Sequence, residues 1–159
     1  MTACLHIDLR NPIHLLATGF GSGLAPRAPG TFHTLAGIPP WLLLQQLPAP
    51  WYWLVMVAAF ALGVHVCGRT ARDMGVHDHG ALVWDEFVGL WLTLAAAPVH
   101  WFWVVTGFVI FRVLDILKPW PIRWFDRNLQ GGLGVMADDV VAGLLGLAML
   151  HILQGWISI

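Results

Sequence analysis

The chain has 159 residues, of which 58% are hydrophobic and 11% charged, and its formal net charge is −1. Soluble domains carry about 25% charged residues, so this composition argues against a soluble monomer and leaves an unusually apolar soluble helical bundle as the alternative. The near-neutral balance also argues against a nucleic-acid-binding surface. Ten Trp residues favour a membrane setting, because indole rings partition to the interface between lipid headgroups and acyl chains.

The formal charges are grouped along the chain. All 8 Lys and Arg and all 9 Asp and Glu fall in three islands, Asp8–Arg27, Arg69–Glu86 and Arg112–Asp139. The stretches between the islands are apolar. Because Lys and Arg mark the cytoplasmic side of membrane proteins, the pattern predicts that all three islands lie on the cytoplasmic side.

The apolar stretches predict one all-α, polytopic membrane domain over residues 1–159, with about five membrane-embedded helices. Pro48 and Pro50 divide the first stretch into a hairpin, Pro98 divides the second, and a last helix ends the chain. The predicted helices are Thr34–Leu47, Trp51–Val66, Trp84–Ala97, Trp101–Leu117 and Asp139 to about Trp156. The first four are shorter than the roughly 20 residues of a full crossing, so tilted or partial crossings stay open.

The first island contains a glycine-rich run, Gly19–Gly23, and ends near Thr31. Backbone N–H groups in such a loop, including that of Gly21, could contact a phosphate, with Thr31 assisting. The spacing matches neither the dinucleotide-binding nor the P-loop pattern, so a flexible entry loop is an equal alternative.

The second island ends with Asp85 and Glu86, where the third predicted helix enters apolar surroundings. Carboxylates beside hydrocarbon are unfavourable unless they are paired or bound to a metal, so both are candidate site residues. The alternative is an ion pair with Arg69 or Arg72 together with a favourable interaction with the helix dipole.

Asp78 lies between His77 and His79, just before that helix. A zinc site is disfavoured, because alternate residues of a helix point apart and no third His or Cys lies nearby. Asp78 is a candidate catalytic residue, and one of the histidines, here His79, is a candidate proton donor. A solvated loop histidine is the alternative.

In the third island, Arg112, Asp115 and Lys118 recur every three residues and share one helical face. A salt-bridge ladder would explain them equally well. Pro119 ends that helix just after Lys118.

A glycine run, Gly131–Gly134, is predicted to form a loop before Asp138 and Asp139 open the final helix. Favourable charge at the helix N-terminus would explain one Asp. Two of them, followed by Gly143, which lets another helix approach closely, indicate a metal site.

Hard oxygen donors and few thiols favour Mg²⁺ or Ca²⁺ over zinc. Clustered carboxylates with Arg and Lys on one membrane face suit a phosphorylated lipid, so the pattern favours a lipid phosphatase. A small cation carrier or channel is the alternative, although its path should place polar groups at membrane depth, which the charge-free spans predicted here do not. A scaffold for lipid synthesis is a third possibility.

Several motifs resemble the bacterial phosphatidylglycerophosphatase A family across nearly the whole chain. They are the segments at 19–24, 73–80, 83–89 (Val-Trp-Asp-Glu-Phe-Val-Gly), 111–126 (with Lys-Pro-Trp-Pro-Ile-Arg) and 138–143. The resemblance implies Mg²⁺-dependent hydrolysis of phosphatidylglycerophosphate to phosphatidylglycerol and phosphate by an all-helical inner-membrane protein. One departure is clear: the family tends to carry Gly-Thr-x-Gly-Ser where this chain has Gly30-Thr-Phe-His33-Thr34.

On this basis the site can be assigned in three groups. The predicted metal ligands are Asp85, Glu86, Asp138 and Asp139. The candidate catalytic residues are Asp85, Glu86, Asp115, Asp78 and His79. The candidate phosphate contacts are Arg112, Lys118, Arg123, Gly21 and Thr31. The oligomeric state and the number of metal ions are left open.

Overall fold

The structure is a computed structural model that describes residues 7–24, 29–76 and 79–157. The described residues form eight α-helices and one 3₁₀ turn and contain no β-strand, so the all-α prediction is confirmed. The helices are α1 (Pro12–Ala17), α2 (Pro29–Ala36), α3 (Ile38–Leu44), α4 (Ala49–Met74), α5 (Trp84–Thr93), α6 (Trp101–Leu117), α7 (Ile122–Asn128) and α8 (Gly131–Trp156).

The last helix, α8, packs against α4, α5, α6 and α7 and organises the bundle. Glycines allow two of these neighbours to approach its backbone. A Cβ at Gly143 would lie 2.5 Å from the carbonyl oxygen of Gly89 in α5, and a Cβ at Gly132 would lie 1.9 Å from that of Val64 in α4. The backbones therefore touch, as they do where small residues line helix contacts.

Helix α5 lies inside the bundle, and nine of its ten residues are buried. Its sides have different neighbours. Gly89 and Thr93 face α8, while the rings of Trp84, Phe87 and Trp91 contact one another along another side. Charged residues in its first turn are thus carried into the interior.

Two described helices, α4 and α8, each of 26 residues, are long and apolar enough to cross a membrane. Helix α6 has 17 residues, about 26 Å, and α5 has 10, about 15 Å, whereas a hydrocarbon core is about 30 Å thick. The prediction of about five membrane-embedded helices is therefore not confirmed.

The predicted boundaries hold for some helices and fail for others. Helix α6 has the predicted bounds, Trp101–Leu117. The prediction of a single helix over Thr34–Leu47 is wrong, because the chain breaks at Gly37 into α2 and α3. Pro39 and Pro40 fill the first turn of α3, where a missing N–H is tolerated but a preceding helix cannot continue.

Three other boundaries differ from the sequence predictions. Helix α4 extends eight residues past the predicted end at Val66, to Met74. Helix α5 ends at Thr93 rather than Ala97. The predicted loop Gly131–Gly134 is wrong, since these residues form the first turn of α8.

Candidate active site

Carboxylates from α5, α6 and α8 converge in the bundle interior. Asp139 lies within electrostatic range of Asp85, Glu86, Asp115 and Asp138, and we call these five residues the acidic cluster. Asp85, Asp138 and Asp139 are buried. Their convergence follows from the close contact of α5 with α8.

Asp138 and Asp139 do not open their helix, as the sequence had suggested. They lie about two turns inside α8, which begins at Gly131. Their position along the helix therefore owes nothing to N-terminal capping, and the capping alternative is wrong. Two adjacent carboxylates in a buried helix interior need another source of stabilisation.

The first cation of the cluster is Arg112 of α6. Its Nη1 lies 2.6 Å from Asp115 Oδ2 and 3.4 Å from Glu86 Oε2. Gly30 of α2 packs against the same guanidinium, since a Cβ there would lie 2.3 Å from Nη2. Arg112 thus has a fixed position, held by two carboxylates and by the α2 backbone.

Thr34 is a site residue that sequence reasoning missed. It is fully buried, and its hydroxyl lies 2.5 Å from Glu86 Oε2 and 2.7 Å from the Gly30 carbonyl oxygen. A hydroxyl has one proton to donate, so it serves one of these acceptors at a time. The sequence signal that could have found it is the family pattern Gly-Thr-x-Gly-Ser, whose final serine, also a hydroxyl residue, corresponds to Thr34.

The second cation is Lys118, which follows α6 with a left-handed backbone (φ 42°). Its Nζ donates hydrogen bonds to Asp126 Oδ1 at 2.6 Å and Asp138 Oδ2 at 2.7 Å. Burial alone would lower the pKa of Lys118, but the hydrogen bonds and negative charges of Asp126 and Asp138 together outweigh burial and raise the pKa above its usual value. Lys118 therefore stays charged and joins α6, α7 and α8.

The ion pairs bear on two alternatives from the sequence analysis, the salt-bridge ladder in the third island and an ion pair of Asp85 or Glu86. Arg112 and Asp115 do form a pair, as a ladder would, but Lys118 turns to Asp126 and Asp138 instead of extending it. Arg69 pairs with Asp73 at 3.0 Å, and Glu86 lies 3.4 Å from Arg112, whereas the alternative in which Asp85 or Glu86 pairs with Arg69 or Arg72 stays a prediction.

His33, which the family pattern does not predict, lies beside Thr34 and is fully buried. Burial lowers its pKa below the usual value, and the positive charge of Arg112 lowers it further. His33 is therefore neutral at pH 7, and it adds no charge next to the acidic cluster.

The remaining predicted residues lie apart from these contacts. His79 accepts a hydrogen bond from the Ala81 N–H through Nδ1 at 3.1 Å and so closes a local turn. Arg123 is exposed on α7, and its Nη2 donates to the Leu117 carbonyl oxygen at 3.5 Å.

Three further predicted residues complete the comparison. Gly21 takes a positive φ of 85° in the turn after α1. Thr31 is exposed on α2. Asp78 lies outside the described residues.

The cluster has the donor chemistry of a divalent-cation site. Three of its five carboxylates contact a cation: Glu86 and Asp115 contact Arg112, and Asp138 contacts Lys118. Carboxylates buried close together are stabilised by protons or by a cation, and carboxylate oxygens are the ligands that Mg²⁺ prefers. Across residues 7–24, 29–76 and 79–157, however, no three His, Cys, Asp or Glu side chains are already grouped closely enough to hold a metal. Metal binding would thus draw the carboxylates together.

The fold and the acidic cluster define an all-helical protein with a buried, carboxylate-rich site held by Arg and Lys, a combination suited to phosphate and metal chemistry. Residues 15–154 match the sequence model of the phosphatidylglycerophosphatase A family. The chain belongs to that family, so the resemblance seen in its motifs is confirmed.

Two curated relatives carry the same name. Phosphatidylglycerophosphatase A of Escherichia coli (strain K12) is 57% identical over 146 residues, which cover 91% of this chain and 85% of the relative. Phosphatidylglycerophosphatase A of Haemophilus influenzae is 49% identical over 152 residues, covering 94% and 93%. No solved structure matches the chain.

Proposed function

We propose that this chain hydrolyses phosphatidylglycerophosphate to phosphatidylglycerol and inorganic phosphate. The observation that carries the proposal is the meeting of the acidic cluster with Arg112 and Lys118 in the interior of a chain that matches this family over residues 15–154. The names of the two relatives support the same substrate.

The proposed cofactor is Mg²⁺, with Asp85, Glu86, Asp138 and Asp139 as its ligands. Their donor chemistry and the convergence of Asp85, Glu86 and Asp138 around Asp139 support this assignment. When bound, the ion would neutralise phosphate oxygens and make water more acidic.

In this proposal the chain's own residues bind the phosphate group and orient the Glu86 carboxylate. Arg112 offers a guanidinium, held against Asp115 and Gly30, to the charge of a phosphate group. Thr34 and Arg112 fix the Glu86 carboxylate between them. Attack of water on phosphorus needs a base, and a carboxylate of the cluster can take that proton.

We also propose that the protein lies in the bacterial inner membrane, crosses it more than once and faces its site to the cytoplasm. Helices α4 and α8 have spanning length. Apolar side chains on α6 point away from the bundle, among them Val105, Val109 and Ile116. Contact with acyl chains would cover them. The charge islands support a cytoplasmic site.

Phosphate release from purified protein in detergent tests the function. Phosphatidylglycerophosphate should be hydrolysed faster than phosphatidic acid, EDTA should stop the reaction, and added Mg²⁺ should restore it. Asp85→Asn and Glu86→Gln should lose activity, whereas Asp73→Asn, which changes a carboxylate paired with Arg69, serves as the matched control. Ion flux into proteoliposomes without phosphate release would instead support a carrier.

A further inference from the structure

Helix α7 lies at the end of the bundle where α6 ends and α8 begins. It belongs to the connection from Leu117, the last residue of α6, to Gly131, the first residue of α8, and it packs against α8. Lys118 Nζ donates hydrogen bonds to Asp126 of α7 at 2.6 Å and to Asp138 of α8 at 2.7 Å. Helix α7 therefore adjoins the acidic cluster at this end of the bundle.

One side of α7 is anchored in the protein. Ile122 is 1% exposed and belongs to the hydrophobic core, and Phe125 and Asp126 are half-buried. Successive helical residues point about 100° apart, so these three share one side of the helix. The opposite side is left to face outward.

The outward side combines indole rings with guanidinium groups. Four exposed residues, which we call the α7 outer face, are Trp120, just before the helix, and Arg123, Trp124 and Arg127. Trp120 is 83% exposed and Trp124 is 52% exposed. Indole rings favour the interface between headgroups and acyl chains, and a membrane surface would cover both rings.

The charge of the α7 outer face is positive. Asp126 is the only acidic residue between Trp120 and Asn128, and it is paired on the inward side with Lys118. Arg123 Nη2 donates to the Leu117 carbonyl oxygen at 3.5 Å, which keeps this guanidinium at the level where α6 ends. A guanidinium has five N–H donors, so further N–H groups can serve a ligand.

We propose that the α7 outer face binds the anionic headgroups of phospholipids in the cytoplasmic leaflet. The inference rests on the membrane location within the proposed function and does not depend on hydrolysis. Guanidinium groups pair well with phosphate oxygens, and basic residues beside a membrane attract anionic lipids. An acidic protein could also pair with the arginines, but two exposed indoles at the level where the apolar helix α6 ends favour the lipid.

Lipid binding by the purified protein in detergent tests the proposal. Native mass spectrometry at low ionic strength gives the affinities for dioleoyl phosphatidylserine and dioleoyl phosphatidylcholine separately. Phosphatidylserine is anionic but is neither the substrate nor the product of the proposed reaction. The test variant is Arg123→Gln/Arg127→Gln. The control, Arg10→Gln/Arg72→Gln, removes the same charge from exposed positions outside α7.

The wild type should bind phosphatidylserine several-fold more tightly than phosphatidylcholine. A cation beside an anionic lipid contributes about fivefold in affinity, so the test variant should bind phosphatidylserine about 25-fold more weakly. Its affinity for phosphatidylcholine and its melting temperature should stay unchanged, and the control should keep the wild-type affinities. An unchanged phosphatidylserine affinity in the test variant, or an equal loss in the control, would overturn the proposal.

A second variant, Trp120→Ala/Trp124→Ala, distinguishes a lipid from a soluble anion. It keeps both arginines and should still bind phosphatidylserine several-fold more weakly, because the indoles no longer contact the lipid. Wild-type affinity in this variant, or displacement of the lipid by inorganic phosphate beyond that caused by sodium chloride of equal ionic strength, would mean a site for free anions and overturn the proposal. None of these measurements involves turnover, so absence of phosphate release from phosphatidylglycerophosphate would overturn the proposed function alone.

Discussion

Gly30→Ala places a methyl group where the Arg112 guanidinium now lies. The new Cβ would be 2.3 Å from Nη2, whereas ordinary contact begins near about 3.5 Å. The guanidinium must therefore move by about 1 Å, which disturbs its contacts with Glu86 and Asp115. The flexible side chain can yield, so the fold should survive.

Because a misplacement of about 1 Å in a catalytic constellation can cost about a hundredfold in rate, kcat should fall by about that factor. Alanine in a helix is favoured over glycine by up to about 1 kcal/mol, so the melting temperature should stay the same or rise. Phosphate release and thermal unfolding in the same detergent separate the two effects.

The control is Gly155→Ala in α8, where an added Cβ would meet nothing within 4 Å. It makes the same change in a helix and should keep full activity. Wild-type kcat in folded Gly30→Ala protein would refute the argument that the placement of Arg112 matters for the reaction.

Thr34→Val removes the hydroxyl 2.5 Å from Glu86, and since a hydrogen bond to a charged group is worth about 1.5–3 kcal/mol, kcat/KM should fall about tenfold or more. Thr34→Ser should stay near wild type. Lys118→Met leaves the buried Asp138 carboxylate without its cation, which should lower the free energy of unfolding by about 3 kcal/mol in thermal or denaturant unfolding. Burial holds the pKa of His33 below its ordinary 6.5, so the unfolded chain takes up a proton first as the pH falls through that value. Stability should therefore decline below it, and His33→Gln should flatten the decline in melting temperature with pH.

Control measurements accompany these three predictions, and two of them use the same kind of substitution at a position outside the site. Thr106→Val removes a hydroxyl that donates only within α6, to the Phe102 carbonyl oxygen at 2.7 Å, and should keep activity. Arg127→Met removes an exposed cation from α7 and should keep stability. Equal losses in a variant and its control, or parallel pH profiles for wild type and His33→Gln, would contradict the corresponding prediction.

The bounds of α6 could be predicted because both of its ends are set by local chemistry. His100 Nδ1 accepts a hydrogen bond from the Phe102 N–H at 3.3 Å and caps the start. Pro119 prevents continuation past Lys118, which turns the chain with a left-handed backbone. Signals of this kind lie within a few residues of the boundary that they set.

The start of α8 could not be predicted in the same way. Glycines at 131–134 suggest a loop when only local propensity is considered. In the bundle, Gly132 is needed because the carbonyl oxygen of Val64 lies where a side chain would be. A requirement imposed by a neighbouring helix cannot be detected in the local sequence pattern.

In the candidate site, too, some contacts could be predicted from the sequence and others depend on how the helices pack. The grouping of charges predicted that Asp85, Glu86 and Asp139 would come together, and the structure brings them within electrostatic range of one another. The contact of Thr34 with Glu86 spans 52 residues and depends on which helices are adjacent. No spacing rule within one segment predicts such a pair.

The burial of α5 determines where this protein tolerates sequence change. Nine of the ten residues of that helix are buried, so a saturation library should keep few replacements between Trp84 and Thr93. Helix α6 has outward positions such as Val105 and Val109 that should accept almost any apolar residue. Sequence redesign is therefore best begun from the outward positions of α6, which can change without altering α5.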